Sequence, residues 1–352
     1  MNDPSPAHPP ETVIPIADPA SGLRGVIVLH STRLGPAAGG CRFWRYDSDA
    51  AMMADAVRLA EGMAYKNALA ELPLGGGKSV IAMPAGPFNR DALMRAFGRA
   101  VEALGGDYLT AEDVGTSVAD MTIVRGETRH VAGLDAAEGK PGGDPSPWTA
   151  RGVFLAMQLA ARRLGSDLAG LTVAVQGLGH VGAHLCRDLH EAGAKLVVAD
   201  VDADRAEAAA REFGARIVQP GDIVAAEADI FAPCALGGVL DSRSVPLLRA
   251  KLVCGAANNV LAAPDDGDLL ARRGVLYAPD YVVNAGGIIN VAAEHLGWTA
   301  AEAARRVEDT PRRLAAVLDL ADANALPPHR AADRLARQRI ARAGRERKRA
   351  AA

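Results

Sequence analysis

Paired cysteines, long apolar runs, a charge excess and lysine are all scarce in this chain, and each scarcity closes off a class of protein. Its four cysteines, Cys41, Cys186, Cys234 and Cys254, stand far apart, with no C-x-x-C pair and no cysteine and histidine cluster at zinc spacing. A disulfide framework and a bound metal are therefore not expected, and the pattern reads as reduced thiols in a cytoplasmic protein. No apolar stretch reaches membrane-spanning length, and the start, Met1 to Pro10, lacks the basic residues and apolar run of a signal peptide. Neither membrane insertion nor export is expected. A formal charge of −3 supplies no basic excess for nucleic acid. Finally, the chain has six lysines against 33 arginines. Arginine keeps its proton at any usable pH, so tunable cations are few.

What is present suits a two-domain globular protein. The 352 residues are 49% hydrophobic and 23% charged. Beyond the proline-rich lead, strand character runs over Gly25 to His30, and Ser48 or Asp49 caps a helix towards Glu71, with Pro73 beyond it. Gly75-Gly76-Gly77 then reads as a loop joining that helix to a short strand, Ser79 to Ala82. A second helix spans Asn89 to Leu104, followed by a loop from Tyr108 to Gly115. Turn formers crowd Gly139 to Pro147 and mark an interdomain connection.

Beyond that connection a helix is expected from Trp148 to Leu164. The buried strand Leu171 to Gln176 leads into Gly177-Leu178-Gly179-His180-Val181-Gly182, a helix to Ala192, and the strand Lys195 to Asp200. Apolar runs at Asp229 to Ala232, Lys251 to Cys254 and Val275 to Ala278 alternate with helical segments, the pattern of a doubly wound parallel sheet. The arginine-rich stretch from His329 reads as a solvated, partly frayed helix.

A G-x-G-x-x-G run is a weak signal alone, but here it follows a strand, opens a helix and precedes an acid at the end of the next strand. Gly177 permits the tight turn, Gly179 lets backbone approach a pyrophosphate, and Gly182 lets helix and strand pack closely. Asp200 is placed to accept from adenosine ribose hydroxyls. With Asp202 nearby it repels a 2′-phosphate, so NAD is expected over NADP. Leu178, Val181, the neighbouring Val201 and His180, read as a loop residue and not an acid-base group, complete the cofactor stretch.

The reaction must come from other residues. Lys66 and Lys78 flank the glycine triplet, and two converging ammonium groups would repel, so that one releases its proton more readily. A proton acceptor is also needed, and the residues alone leave Asp113 and Glu112 as alternatives. This much indicates an NAD-dependent enzyme with a cationic site.

Several motifs occur in a recognisable order: Leu34 to Arg42, Met63-Ala64-Tyr65-Lys66, Leu74-Gly75-Gly76-Gly77-Lys78, Thr110 to Gly115, Gly255-Ala256-Ala257-Asn258-Asn259 and Val283-Asn284-Ala285-Gly286-Gly287. The order resembles the glutamate/leucine/phenylalanine/valine dehydrogenases, most closely the leucine and phenylalanine branch, and it spans almost the whole chain. The resemblance implies an N-terminal α/β substrate-binding and oligomerisation domain (residues 1–143), a Rossmann-type doubly wound NAD-binding domain (144–326), and a C-terminal helical segment (327–352) packing back on the first domain. It implies a homo-oligomer. It also implies reversible oxidative deamination of an amino acid to a 2-oxo acid and ammonium.

Roles carry over at matching positions. Lys66, with Asn258 and backbone around Gly40, would bind the substrate α-carboxylate; Lys78 would activate water; Asp113 would be the general acid-base. Thr149, Cys234, Ala235, Ala256, Ala257, Asn258 and Asn284 would lie along the cofactor. Ala38, Ala111, Ile288 and Val291, all apolar, would line the side-chain pocket, which disfavours glutamate and favours leucine, valine, isoleucine or phenylalanine. The departures are Ala64 in place of a usual threonine, Cys41 where threonine is frequent, and Arg151 at a normally neutral position. Two alternatives compete: a 2-hydroxy-acid oxidoreductase, for which no His/Arg pair is visible, and a non-catalytic NAD-binding regulatory or assembly protein, which would be expected to lose Lys78 or Asp113.

Overall fold

Pro15 stands in an outermost strand, where a missing N–H interrupts no ladder between two neighbours. The strand is β1 (Thr12–Asp18), which pairs antiparallel with β2 (Leu23–Ser31) alone. The computed structural model describes residues 9–134 and 142–350, and its contacts separate two compact units. The first unit comprises residues to Gly143, Glu294–Gly297 and the chain from Ala336; the second comprises Asp144–Ala293 and Trp298–Leu335. Residues 1–8 of the proline-rich lead, and Gly139 to Pro141 of the connection, lie outside the described residues.

In the first unit a mixed sheet is assembled from β1, β2, β3 (Ala37–Ala38), β4 (Cys41–Trp44), β5 (Gly75–Ala82) and β6 (Tyr108–Leu109). Its order is β1-β2-β5-β3-β6, with β4 also pairing β5. Helix α1 (Asp49–Leu69), capped by the Ser48 side chain, covers one face with Met52, Ala56 and Ala60 turned to the core. Helices α2 (Arg90–Glu102), capped by Asn89, and α3 (Val118–Arg125), closed by a Ser117/Asp120 capping box, contribute to a second cluster around Phe43, Phe97 and Tyr108.

One expectation is overturned here. Gly75, Gly76 and Gly77 form no loop; they open the fully buried strand β5. The reason is close packing: a Cβ at Gly76 would lie 2.1 Å from the Ala64 nitrogen and 2.4 Å from the Ala64 Cβ. Only a bare backbone lets α1 lie that close to the strand. Ala64 is small for the same reason.

The second unit starts with α4 (Ser146–Arg163) and holds a six-stranded parallel sheet: β7 (Thr172–Gln176), β8 (Lys195–Ala199), β9 (Arg216–Ile217), β10 (Ile230–Pro233), β11 (Leu252–Val253) and β12 (Leu276–Tyr277). The order β12-β11-β10-β7-β8-β9 reverses its direction of winding between β7 and β10. Such a switch point leaves a crevice at the carboxyl ends of the two strands, where ligands of doubly wound sheets bind. Crossovers and flanking segments are α5 (His180–Glu191), α6 (Ala203–Phe213), α7 (Pro264–Arg272), α8 (Asp280–Val283), α9 (Gly286–Leu296), α10 (Ala300–Glu308) and α11 (Thr310–Asn324).

The last helix, α12 (Pro328–Ala350), is not a solvated stretch of arginines. Ala331, Ala332, Ala336 and Ile340 are buried along it, and Arg337, Arg339 and Arg347 bond to groups of the first unit. Helical spacing collects its few apolar residues into one stripe, which is what the charge count conceals. No helix among the described residues is long and apolar enough to cross a membrane.

Candidate active site

The first unit sets a buried cation against a carboxylate. Lys78 lies opposite Val28 in β5, with β4 and β3 on the other edge of that strand, so its side chain is only 6% exposed. A buried ammonium needs a partner, and Lys78 Nζ is ion-paired with Asp113 Oδ2. The partner that the fold gives Lys78 is thus the carboxylate of Asp113, one of the two acids the residues alone left open.

Asp113 is held by its loop. Cys41 N–H donates to Ala111 O (2.8 Å), Phe43 N–H to Val114 O (2.9 Å), and Thr116 Oγ1 both accepts from the Asp113 N–H and donates to Cys41 O, each at 2.9 Å. At Gly115 φ is +84°, and a Cβ there would sit 1.9 Å from Phe43 O. Arg42 Nε lies 3.6 Å from Asp113 Oδ2, while its Nη1 donates to Asp55 (2.9 Å). Burial pushes the Asp113 carboxyl up, but Lys78 and then Arg42 outweigh it and hold the group below the usual carboxylate range. It is therefore an acceptor at neutral pH.

The same strands gather the other first-unit residues. A Cβ on Gly40 would be 2.6 Å from Glu112 O and 2.8 Å from the Asp113 Cβ, so Gly40 backbone lies directly against the loop that carries Asp113. Ala38 pairs in register with Gly76, and Ala111 lies in the same loop as Asp113; both are buried. Lys66 is half-buried near the end of α1, beside Asn67, whose amide donates to Gly75 O (2.6 Å). Buried Cys41 has its thiol pushed up to about 12 by desolvation, so this departure is chemically inert.

In the second unit the glycine turn closes the switch point. Gly177 has φ +91° and approaches Ala235 so nearly that a Cβ would fall 2.8 Å from Ala235 Cβ, while a Cβ on Gly182 would fall 2.0 Å from Gly177 O. Gly179 differs: only Arg205 Nη1, at 3.9 Å, stands near its would-be Cβ. Open space above Gly179, at the start of a helix with no side-chain cap, fits a pyrophosphate group. His180 opens α5, and Val181 follows it.

Asp200 has a second task that sequence reasoning missed. Its Oδ2 accepts from Leu178 N–H (2.6 Å) and its Oδ1 from Asp202 N–H (2.8 Å), so it fixes the glycine turn itself. Val201 beside it is 93% exposed. Across the switch point Cys234 N–H donates to Gln176 O (2.7 Å). Asn284 Nδ2 clamps the turn at residues 256–258 through Ala256 O (3.1 Å) and Asn258 Oδ1 (2.9 Å). Its own Oδ1 is buried with no hydrogen-bond partner among the described residues, an acceptor that suits a ligand amide. The Thr149 hydroxyl faces Gly287 at the start of α9, where a Cβ would be 3.1 Å away. Ile288 and Val291, one turn apart, stay partly open while Ile289 and Ala292 are buried.

Arg42 and Asp280 received no role from the sequence. Asp280 Oδ2 accepts from Asn259 N–H (2.5 Å) and Oδ1 from Tyr277 OH (2.6 Å), holding Asn259 at φ +53° next to Asn258. Nothing local distinguishes Asp280 from a helix-capping acid; Arg42 at least sat within a quoted motif.

The chain matches the model of the Glu/Leu/Phe/Val dehydrogenase dimerisation domain over residues 10–130, and that of Glutamate/Leucine/Phenylalanine/Valine dehydrogenase over 144–205 and 199–348. It is 48% identical to the leucine dehydrogenase of Geobacillus stearothermophilus over 94% of this chain and 90% of that one. The chain belongs to the Glu/Leu/Phe/Val dehydrogenase family. It lies in the leucine branch of that family and is an amino-acid dehydrogenase using a nicotinamide cofactor. It is also 46% identical to the valine dehydrogenase of Streptomyces coelicolor, over 95% of this chain and 93% of that one. The crystal structure of L-tryptophan dehydrogenase from Nostoc punctiforme superimposes with a TM-score of 0.84 at 41% identity, covering 96% of this chain and 97% of that one. Family members named for three different amino acids, leucine, valine and tryptophan, share this likeness.

Proposed function

We propose that this dehydrogenase carries out reversible NAD-linked oxidative deamination of an apolar L-amino acid, leucine, valine, isoleucine or phenylalanine, to the 2-oxo acid and ammonium. The observation that carries the reading is the ion pair of buried Lys78 with Asp113, the latter lying against Gly40 backbone. In this reading the first unit binds substrate and forms the homo-oligomer, and the second holds NAD in the cytoplasm, where four free cysteines are at home.

NAD, when bound, supplies the hydride acceptor. Lys66, Asn258 and the backbone at Gly40 hold the α-carboxylate. Asp113, kept ionised by Lys78 and Arg42, takes the proton that the α-ammonium must lose before hydride can leave the α-carbon. The Lys78 ammonium orients the water that attacks the resulting imine carbon and stabilises the oxygen as charge builds on it. Asp113 gives the proton it took to the nitrogen of the resulting carbinolamine and accepts one from the attacking water. The C–N bond then breaks as the hydroxyl proton passes to the departing nitrogen, which leaves as ammonium, and Asp113 releases its proton to solvent.

Thr149, Gly177, Leu178, Gly179, His180, Val181, Gly182, Asp200, Val201, Cys234, Ala235, Ala256, Ala257, Asn258 and Asn284 hold the cofactor. NAD is favoured over NADP because Asp200, with Asp202 beside it, repels a 2′-phosphate. Ala38, Ala111, Ile288 and Val291 line the side-chain pocket and offer no cation to a second carboxylate, so glutamate is rejected.

A screen of leucine, valine, isoleucine, phenylalanine, tryptophan and glutamate with NAD and then NADP, followed by reduced-nicotinamide absorbance, tests the reading. Turnover is expected with apolar amino acids and NAD. Lys78→Ala should fold yet lose roughly 10²- to 10⁴-fold in turnover. A folded Lys78→Ala protein of near-normal activity would sink the assignment.

A further inference from the structure

The basic C-terminal run remains to be explained. Its inward-facing members converge on the last turns of α1, on either side of Lys66. Arg337 Nε donates to Tyr65 OH (2.8 Å), its guanidinium lies 5.7 Å from the Tyr65 ring centroid, and Tyr65 OH in turn donates to Glu61 (2.8 Å). Arg339 Nη1 donates to Ala68 O and Leu69 O, both at 3.1 Å, and its Nη2 reaches Glu71 at 3.0 Å. Both carbonyls belong to the last turn of α1, Ala68 O accepting from Glu71 N–H (3.2 Å) as well, and Glu71 follows in a left-handed conformation, φ +58°. Arg339 thus caps α1 from another helix, at its negative end. Further along, a Cβ on Gly344 would fall 2.9 Å from Arg33 Cδ, and Arg347 Nη1 donates to Thr32 O (2.5 Å), so α12 is anchored beyond the cap as well.

Lys66 lies between these two attachments, in the last turn of α1. Its immediate neighbour Tyr65 is held by Arg337, and Ala68 and Leu69 by Arg339. A carboxylate clamp works only when the ammonium is held in place before the substrate arrives, since displacement of the order of an ångström is expensive. We propose that Arg337 and Arg339 are positioning residues for the substrate carboxylate, acting through the backbone that carries Lys66. This rests on the reading of Lys66 as the α-carboxylate ligand. The outward members of the run, such as Arg342, which pairs with Glu346 on the same helix, take no part.

The test is steady-state kinetics of the full-length protein with L-leucine and NAD, varying each in turn. Arg339→Ala should raise the leucine KM about tenfold and leave kcat and the NAD KM within about twofold. Arg339→Lys, which still donates to the helix carbonyls, should recover most of the loss. Tyr65→Phe keeps the ring and deletes the two hydrogen bonds of the hydroxyl, so it reports even if Arg339→Ala fails to fold; it should raise the leucine KM about threefold. Unchanged leucine KM in both variants, while Lys66→Ala raises it, would overturn the inference. Parallel losses in kcat, both KM values and thermal stability would overturn it equally, by showing a structural role alone. A Lys66→Ala protein with normal leucine KM would instead refute the carboxylate assignment on which the inference stands.

Discussion

Gly75, Gly76 and Gly77 lie inside a fully buried strand, whereas Gly177, Gly179 and Gly182 belong to a turn and the first residues of a helix. On paper the two clusters look alike. A Cβ on Gly76 collides with backbone of the chain itself, at 2.1 Å from Ala64 N, but a Cβ on Gly179 meets only the tip of a flexible arginine at 3.9 Å. In the first cluster Gly76 is bare because a helix lies on it; in the second, Gly179 has no backbone within 4 Å of its would-be Cβ, which is the space the proposed cofactor reading uses. Glycine density alone therefore says nothing about which purpose is served. What stands above each Cα decides.

The comparison can be broken at three points. The largest effect is expected at Gly76→Ala, where neither the Ala64 backbone nor the strand can yield cheaply. A loss of about 3 kcal/mol in denaturant unfolding, or failure to fold, is expected. Wild-type stability in that variant would mean that α1 is free to move off the strand. Next is Gly179→Ala, whose unfolding midpoint should match wild type while the cofactor KM rises about tenfold. Loss of stability there would put Gly179 in the same class as Gly76.

The smallest effect concerns the buried lysine just beyond the first cluster. Asp113 has a folded pKa below its unfolded value, so it stabilises the fold above the unfolded pKa, about 4. That contribution should fade as pH falls through about 4 and further through the depressed folded value. Asp113→Asn should lose this part of the acid dependence of unfolding. An unchanged acid limb would mean that the ion pair contributes nothing to the fold.

Legibility followed distance along the chain. The β7–turn–α5–β8 unit was readable because strand, turn, helix and acid are contiguous, and each obeys local rules of backbone and charge. The start of α1 at Ser48 or Asp49 and of α2 at Asn89 is readable for the same reason, and the structure makes Ser48 and Asn89 the caps. The glycine triplet reads as a loop in the sequence because the groups that crowd it, Ser31 at Gly75, Ala64 at Gly76 and Tyr108 at Gly77, belong to other elements. Strand β1 was missed because proline argues against strands, and only its place at the sheet edge makes Pro15 harmless. Strands β3 and β6, two residues each, have too few side chains to show alternation. The arginine-rich end was read by charge, whereas its buried stripe of alanines and Ile340 governs where it packs.

By itself the sequence determined the fold class, the strand–glycine turn–helix unit and the order of motifs that marks the family, since these depend on residue type and short spacing. The tertiary structure alone decided that Lys78 is neutralised by Asp113 and shares it with Arg42, that Asp200 braces the turn it was expected to serve, and that Arg337 and Arg339 flank Lys66. Each of these is a contact between segments far apart in the chain. Burial makes such contacts decisive, because a charge or carbonyl removed from water must find its partner wherever the fold brings one.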